Sequence, residues 1–238
     1  MSQNHKTYDF IEGEVLLINK PATWTSFDVV NKIRGMIRYF LKTGKIKVGH
    51  AGTLDPLATG LLIICTGKAT KSLHQYQDLD KEYTGTCCLG ATTPSLDKET
   101  EISERYPVDH ITEEMIREAS KSLTGQIEQV PPAYSAIKIE GKRAYRMARG
   151  KQEVPMGPRK VLISSFDITG IQMPYVKFRV SCSKGTYIRS LVRDFGESLG
   201  SSAYLDDLCR TRIGDFRLSD AMDITDLENI LKLGKQSP

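Results

Sequence analysis

The hydrophobic positions of this chain form short separate runs, and their spacing alternates between the period of a strand and that of a helix. Continuous or alternating apolar residues predict strands in six segments: 15–18, 61–65, 82–89, 134–139, 161–168 and 176–182. Apolar residues that recur every three or four positions predict five helices: 26–41, 112–123, 144–149, 188–199 and 225–233. The two kinds of element follow one another without a regular strand–helix–strand repeat.

Capping residues and the order of the elements define the predicted architecture. Ser26 is the predicted N-cap of the first helix, whose apolar face starts at Phe27, and Thr112 is the predicted N-cap of the second. The irregular order predicts an α+β fold with a mixed, mainly antiparallel central sheet flanked by helices. Because we find neither an internal repeat nor a low-complexity linker, residues 1–238 are predicted to form a single domain, from which residues 130–152 project as an insertion.

A glycine-rich stretch, residues 49–60, contains three glycines and one proline. We predict that no helix or strand continues through it, so that it forms a shaped loop. Asp55 lies in this loop directly before Pro56, and the proline restricts the backbone of the aspartate. A rigid loop with one carboxylate is a candidate catalytic site, although Asp-Pro is also a common start of a structural turn.

Charge is distributed unevenly along the chain. The formal net charge is +4, but residues 138–160 hold eight basic and two acidic side chains, and residues 97–118 hold a surplus of acidic ones. The basic segment suits a polyanion, and the acidic segment is expected to face away from it. A solvated helix surface would explain the same basic run.

Cysteine and histidine usage limits the possible chemistry. Five cysteines form no C-x-x-C pair, and the four histidines have no metal-ligand spacing. Four thiols occur in apolar or alternating runs and are predicted to be buried in a reducing compartment: Cys65, Cys87, Cys88 and Cys182. No apolar run approaches the length that spans a membrane. We therefore expect a cytoplasmic protein that needs no metal, nucleotide or redox cofactor.

Six motifs, in order along the chain, resemble those of the TruB family of tRNA pseudouridine synthases. They are Asn19-Lys20-Pro21, residues 49–56, Asp80-Lys81-Glu82-Tyr83, residues 134–145, residues 182–189 and Leu208-Cys209-Arg210-Thr211. The resemblance implies a pseudouridine-synthase-like fold in which residues 130–152 grip RNA. It implies isomerisation of the uridine at position 55, in the T-loop of tRNA, to pseudouridine, with one aspartate and no cofactor.

The resemblance also implies roles for individual residues. Asp55 is expected to be the catalytic carboxylate, as a nucleophile or an electrostatic stabiliser, with Arg189 as its ion partner. His50 is expected to fill the space left by a flipped nucleotide and Lys20 to support the loop. Without the resemblance, Arg189 would be interpreted as a surface charge and His50 as a solvated side chain.

Substrate-binding and RNA-binding residues follow from the same motifs. Tyr83 is expected to stack on the flipped uracil, while Tyr187 and Leu208 line the pocket; core packing is the alternative for Tyr83 and Leu208. Residues of the insertion are expected to contact the RNA backbone with aromatic faces and positive charges: Tyr134, Lys138, Lys142, Arg143, Arg146 and Arg149.

The chain departs from the family pattern at a few positions. Pro94 and Ser95 stand where the family usually has Asp-Thr, and Cys209 replaces an arginine. The sequence ends at Pro238, where many relatives continue into a PUA domain, so we expect a chain without that domain.

Two other functions remain open at this point. The chain could be a tRNA-folding chaperone that has lost catalysis, or a metal-dependent nuclease, which the missing ligand pattern disfavours. The expected partner is the T stem-loop of tRNA, and we expect a monomer that binds neither a membrane nor a metal.

Overall fold

The computed structural model describes residues 8–135, 137–139, 141–150, 152 and 154–234, with the side chains of 138, 139 and 142 left out. Thirteen strands occur in this part of the chain: Val15–Lys20 (β1), Val48–Ala51 (β2), Thr59–Thr66 (β3), Lys81–Leu89 (β4), Ala91–Thr92 (β5), Glu104–Arg105 (β6), Gly125–Gln129 (β7), Lys138–Ile139 (β8), Lys142–Arg143 (β9), Arg159–Gln172 (β10), Tyr175–Cys182 (β11), Ala203–Ile213 (β12) and Phe216–Arg217 (β13). Six α-helices accompany them: Ser26–Phe40 (α1), Leu73–Gln77 (α2), Glu113–Ser122 (α3), Ala144–Arg149 (α4), Ile188–Ser198 (α5) and Ile224–Gly234 (α6).

Strand pairing confirms the predicted fold class. Nearly all neighbouring strands are antiparallel, whereas β12 runs parallel to β3 at Cys209–Thr59 and Arg210–Gly60. The fold is therefore α+β with a mixed, mainly antiparallel sheet and flanking helices. In the described residues, no helix is both long enough and apolar enough to cross a membrane.

The chain divides into two compact units, Met1–Leu79 with Cys209–Pro238, and Asp80–Leu208. In the first unit, β3 pairs with β1, β2 and the end of β12. Both faces of β3 are covered: Leu62 and Ile64 pack into one apolar cluster with α1, and Leu61 and Ile63 into another. This two-sided burial explains why the strand is a continuous apolar run.

Helix α1 starts one residue earlier than predicted. Its N-cap is Thr25, not Ser26: the Thr25 hydroxyl accepts from the Asp28 amide, and the Asp28 carboxylate accepts from the Thr25 amide. The Ser26 hydroxyl is occupied with Leu54 instead. Phe27, predicted to lie on the apolar face, is 61% exposed, whereas Val29 is fully buried.

In the second unit the strand order is β12-β4-β11-β10-β7, and β12 is the strand through which the chain passes between the units. Phe166 of β10 makes edge-to-face contacts with Phe178 of β11 and Phe195 of α5, which fixes the helix on the sheet. Strand β10 is longer than predicted, because two irregularities in its register, near Ile163 and Ile168, let it bend and stay paired.

Candidate active site

The loop that holds Asp55 is shorter than the sequence predicted. Strand β2 continues to Ala51 and β3 starts at Thr59, so no strand continues through residues 49–60, as predicted, but the loop is confined to residues 52–58. Gly60 explains the difference, because its φ is +100° and a Cβ there would collide with the Arg210 carbonyl oxygen. The glycine permits close strand pairing rather than a turn.

The Asp55 loop is fastened to the start of α1. The Ser26 hydroxyl accepts from the Leu54 amide at 2.9 Å and donates to the Leu54 carbonyl at 3.2 Å. Leu54 is 4% exposed, and the Ala58 amide closes a turn on the Asp55 carbonyl at 3.2 Å. Asp55 itself is half-buried. Hydrogen bonds on both sides of the carboxylate therefore restrict its backbone, as a preorganised group requires.

Lys20, at the end of β1, is a buried side chain that bonds to this loop. The side chain is fully buried, and its Nζ donates to the carbonyl oxygens of Pro21, Trp24 and Pro56 at 2.9, 2.6 and 3.1 Å. Burial lowers the pKa of Lys20 to about 8, while the charge of Asp55 opposes this shift. The bond to Pro56 supports the prediction that Lys20 holds the loop.

Arg210 is a second buried cation beside the loop. Its Nε donates to the Leu61 carbonyl at 2.8 Å and its terminal nitrogen to the Gly52 carbonyl at 3.0 Å, and the residue is 1% exposed. Burial, and then the Arg210 charge, lower the pKa of His50, so the imidazole is neutral at pH 7. His50 Nδ1 is buried and has no hydrogen-bond partner among the described residues.

Two predicted pocket residues lie on strands of the second unit. Tyr83 is 8% exposed on β4, opposite Val180 of β11. Leu208 is 6% exposed on β12. This burial fits a pocket wall and core packing equally well, so the roles of Tyr83 and Leu208 stay predictions.

The first turn of α5 presents the other two predicted site residues. Tyr187 is the N-cap, half-buried, and Arg189 follows within the helix at 3% exposure. Arg189 donates to the carbonyl oxygens of Ser95 and Tyr134 at 2.9 and 2.8 Å, and its Nε lies 3.6 Å from a carboxylate oxygen of Asp97. The carboxylate beside Arg189 within this unit is thus Asp97, and an ion pair of Arg189 with Asp55 stays a prediction.

Ser95, one of the departures from the family pattern, belongs to the same network. Its hydroxyl donates to the Asp97 carboxylate at 2.6 Å, and the Glu99 amide donates to the same oxygen at 2.9 Å. Thr93 closes the turn by donating to the Asp97 carbonyl at 2.7 Å. The carboxylate is therefore held by hydrogen bonds independently of Arg189, which fixes the guanidinium in turn.

The strand predicted over residues 134–139 is much shorter in the structure. Of its described residues, Lys138 and Ile139 pair, with Lys142–Arg143, and α4 follows as predicted, with Gly150 as its C-cap. The strand prediction is wrong at Tyr134, because the carbonyl of that residue accepts from Arg189 instead of a neighbouring strand. Ala136, Glu140, Lys151 and Glu153, and the side chains of Lys138 and Lys142, lie outside the described residues.

The described cations of the insertion are exposed. They are Arg143, Arg146 and Arg149. The guanidinium groups of Arg146 and Arg149 lie 5.9 and 5.7 Å from the centre of the Tyr145 ring. Arg149 also forms an ion pair with Glu99. An arginine that packs over an aromatic ring keeps a defined position and can still contact a phosphate.

Sequence reasoning missed several residues that position the candidate site. Asp97 was considered only as part of the acidic segment, yet it is 5% exposed. Gln129 gave no signal beyond ordinary polarity, and Ser26 was predicted as an N-cap rather than as the residue that holds Leu54. Arg210 lies inside the Leu208-Cys209-Arg210-Thr211 motif, but nothing in its local sequence indicates that it is buried. Among the described residues, no three His, Cys, Asp or Glu side chains are grouped as metal ligands.

Comparison with known proteins identifies the class. Residues 38–188 match the N-terminal domain model of the TruB family of pseudouridylate synthases. A tRNA pseudouridine synthase B of Parabacteroides distasonis is 52% identical over 94% of this chain and 95% of its own length. Another, from Phocaeicola vulgatus, is 54% identical over 91% of this chain and 92% of its own. The chain therefore belongs to the TruB family, which confirms the resemblance found in the sequence.

Solved structures agree with this assignment. The crystal structure of a Cbf5-Nop10-Gar1 complex contains a chain with a TM-score of 0.71 and 28% identity, which covers 95% of the present chain. An H/ACA RNP bound to a substrate RNA containing 2′-deoxyuridine gives a TM-score of 0.65 at 25% identity, again over 95% of this chain. The present chain spans 56% and 60% of those two chains, respectively.

Proposed function

We propose that this chain isomerises uridine to pseudouridine at position 55, in the T-loop of tRNA. The main support is the half-buried Asp55, held in a loop whose backbone is bonded to α1 and to buried Lys20. The close relatives are named tRNA pseudouridine synthase B over nine-tenths of this chain, which supports the substrate class. The T-loop position follows from the family motifs around this aspartate.

The reaction rearranges bonds without adding atoms. The N1–C1′ bond of uridine breaks, the base turns, and C5 bonds to C1′, while C5 loses a proton and N1 gains one. Asp55 supplies the single carboxylate, either as a nucleophile or as a stabiliser of positive charge on the sugar. Water must be kept from the cleaved sugar, because its attack would leave an abasic site. No step calls for a cofactor.

Substrate binding is divided among the other predicted residues. Tyr83 is proposed to stack on a uracil flipped out of the RNA, with Tyr187, Arg189 and Leu208 lining its pocket. A neutral His50 suits the proposed contact with the RNA left behind, since a neutral ring loses little hydration energy against a base.

The RNA backbone is proposed to be gripped by the insertion. Arg143, Arg146 and Arg149 are exposed, as phosphate contacts require, and Tyr134 and Tyr145 add aromatic faces. Such contacts recognise the shape of a loop rather than the edges of paired bases. We expect the enzyme to act as a monomer in the cytoplasm.

Product analysis tests this proposal. The purified chain is incubated with an unmodified T stem-loop transcript in buffer alone, next to a parallel sample that contains a chelator, and each RNA is digested and its nucleosides are separated. We expect pseudouridine at one site, formed without additives. Binding without pseudouridine would instead support the chaperone function, and strand scission that the chelator abolishes would support a nuclease.

A further inference from the structure

Gln129 connects the end of β7 to the first turn of α5. Its Oε1 accepts from the Tyr187 amide at 2.8 Å, and the residue is 1% exposed. The next residue, Val130, accepts from the Ser190 hydroxyl at 2.8 Å and from Arg193 at 3.3 Å. The end of β7 is thus hydrogen-bonded to Tyr187, Ser190 and Arg193 at the start of α5.

Tyr187, the N-cap of α5, is held through its backbone amide by the Gln129 side chain. No side chain caps α5, and Tyr187 is extended, with φ −103° and ψ 110°. Its carbonyl accepts the first helical bond, from Leu191 at 3.0 Å, while its amide is held by Gln129. The Gln129 side chain is therefore one of the contacts that fix the direction in which the chain enters the helix, two residues before Arg189.

The side-chain amide nitrogen of Gln129 lowers the stability of the fold at this position. Its Nε2 is buried and has no hydrogen-bond partner among the described residues. A buried donor without a partner destabilises a fold, so a side chain chosen for stability alone would not leave it there. Local costs of this kind tend to collect at functional positions.

We propose that Gln129 is a positioning residue that acts through Tyr187 and the first turn of α5. Its Oε1 fixes the Tyr187 amide, and thereby the placement of Tyr187 and Arg189 toward the substrate. The inference rests on the proposed function, because it assigns those two residues to the uridine-binding pocket. Gln129 should therefore affect the rate of isomerisation and leave RNA affinity, which comes from phosphate contacts, unchanged.

Two variants separate the acceptor from the rest of the side chain. Gln129→Met keeps the length and removes both polar groups, whereas Gln129→Glu keeps an oxygen acceptor in the same place. We expect Gln129→Met to lower the single-turnover rate about tenfold to a hundredfold, with the Kd for the stem-loop within about twofold. Gln129→Glu should restore most of the rate. Gln126→Met, exposed on the same strand, is the matched control and should behave as wild type.

Hydrogen exchange at the Tyr187 amide provides a readout that does not depend on activity. In the wild type we expect slow exchange, and in Gln129→Glu a similar rate, because both side chains present an acceptor. Exchange of this amide at the rate of an open chain would overturn the proposal, as would a Gln129→Met variant with the wild-type rate or with only its RNA affinity reduced. An inactive wild type would contradict the proposed function itself, whereas an active wild type with an equally active Gln129→Met contradicts only the role of Gln129.

Discussion

Lys20 and Arg189 are buried cations, one in each unit, and the chain accommodates them in different ways. Lys20 donates to three backbone carbonyl groups, and its pKa falls to about 8. Arg189 donates to two carbonyl groups and lies beside the buried carboxylate of Asp97. A lysine can lose its proton when burial is costly, whereas an arginine keeps its charge, and at Arg189 the buried Asp97 carboxylate compensates that charge.

The different environments of Lys20 and Arg189 suit the two cations to different tasks. Lys20 spans Pro21, Trp24 and Pro56, and so joins the end of β1 to the Asp55 loop with an adjustable charge. Arg189 is a fixed charge whose planar donors are already placed by carbonyl groups. The first arrangement supports a loop, and the second presents a rigid charge from a helix.

The largest expected change in stability follows from breaking the Arg189–Asp97 pair. Arg189→Met leaves Asp97 buried without its cation, so the free energy of unfolding should fall by about 3–5 kcal/mol. Urea unfolding at pH 7 measures the change.

A double-mutant cycle sharpens that result. Arg189→Met combined with Asp97→Asn removes both charges, and the double variant should be more stable than Arg189→Met alone. Additive losses would show that the two side chains do not act as a pair.

Lys20→Met tests the adjustable cation through pH. The pKa of Lys20 is about 8 in the folded chain and 10.5 in the free side chain, so the unfolded chain binds more protons between these values. The wild type should therefore gain stability over Lys20→Met as the pH rises from 8 to 9.5, by up to about 2 kcal/mol. Parallel urea unfolding of both proteins at pH 7, 8 and 9.5 measures the gain, and a constant difference would argue against the lowered pKa.

Arg146→Glu changes a cation that is exposed rather than buried. Stability should stay within about 0.5 kcal/mol, because no buried contact is lost. Affinity for the T stem-loop should fall, and the slope of log K against log salt should flatten by about 1 for the lost phosphate contact. Binding titrations at several salt concentrations test this, and an unchanged slope would remove Arg146 from the RNA interface.

A smaller change in stability than at Arg189 or Lys20 is expected at the start of α1. Thr25→Ala removes the N-cap and should cost about 1 kcal/mol without affecting the Asp55 loop. Ser26→Ala is the companion variant, since that hydroxyl holds Leu54 of the loop. Thermal unfolding together with the single-turnover rate separates the two: only Ser26→Ala should slow isomerisation.

Local patterns predicted much of the fold. Regular apolar spacing predicts the strand near 176–182 and the helix near 188–199, and a continuous apolar run predicts the strand near 61–65. Strand β12 was missed, since Asp206, Asp207 and Arg210 interrupt its alternation. Arg210 occupies an interior position there because carbonyl groups of another segment accept hydrogen bonds from it, and such long-range partners leave no local pattern.

The candidate site was predicted unevenly for a similar reason. The Asp55 loop is a continuous motif, so its residues were visible together. Asp97 and Gln129 gain their roles from contacts with α5 that lie 92 and 58 positions away along the chain, at Arg189 and Tyr187. Spacing within a motif cannot show a contact between segments so far apart.

The most direct test of the account is Asp55→Asn, which keeps the shape of the side chain and removes its charge. Single-turnover isomerisation of the T stem-loop should fall by at least about a thousandfold, or roughly 4 kcal/mol in the barrier. RNA affinity should stay within about tenfold, equal to 1.4 kcal/mol. Pseudouridine formation by Asp55→Asn at the wild-type rate would contradict a catalytic carboxylate, and loss of RNA binding together with turnover would show that Asp55 is structural.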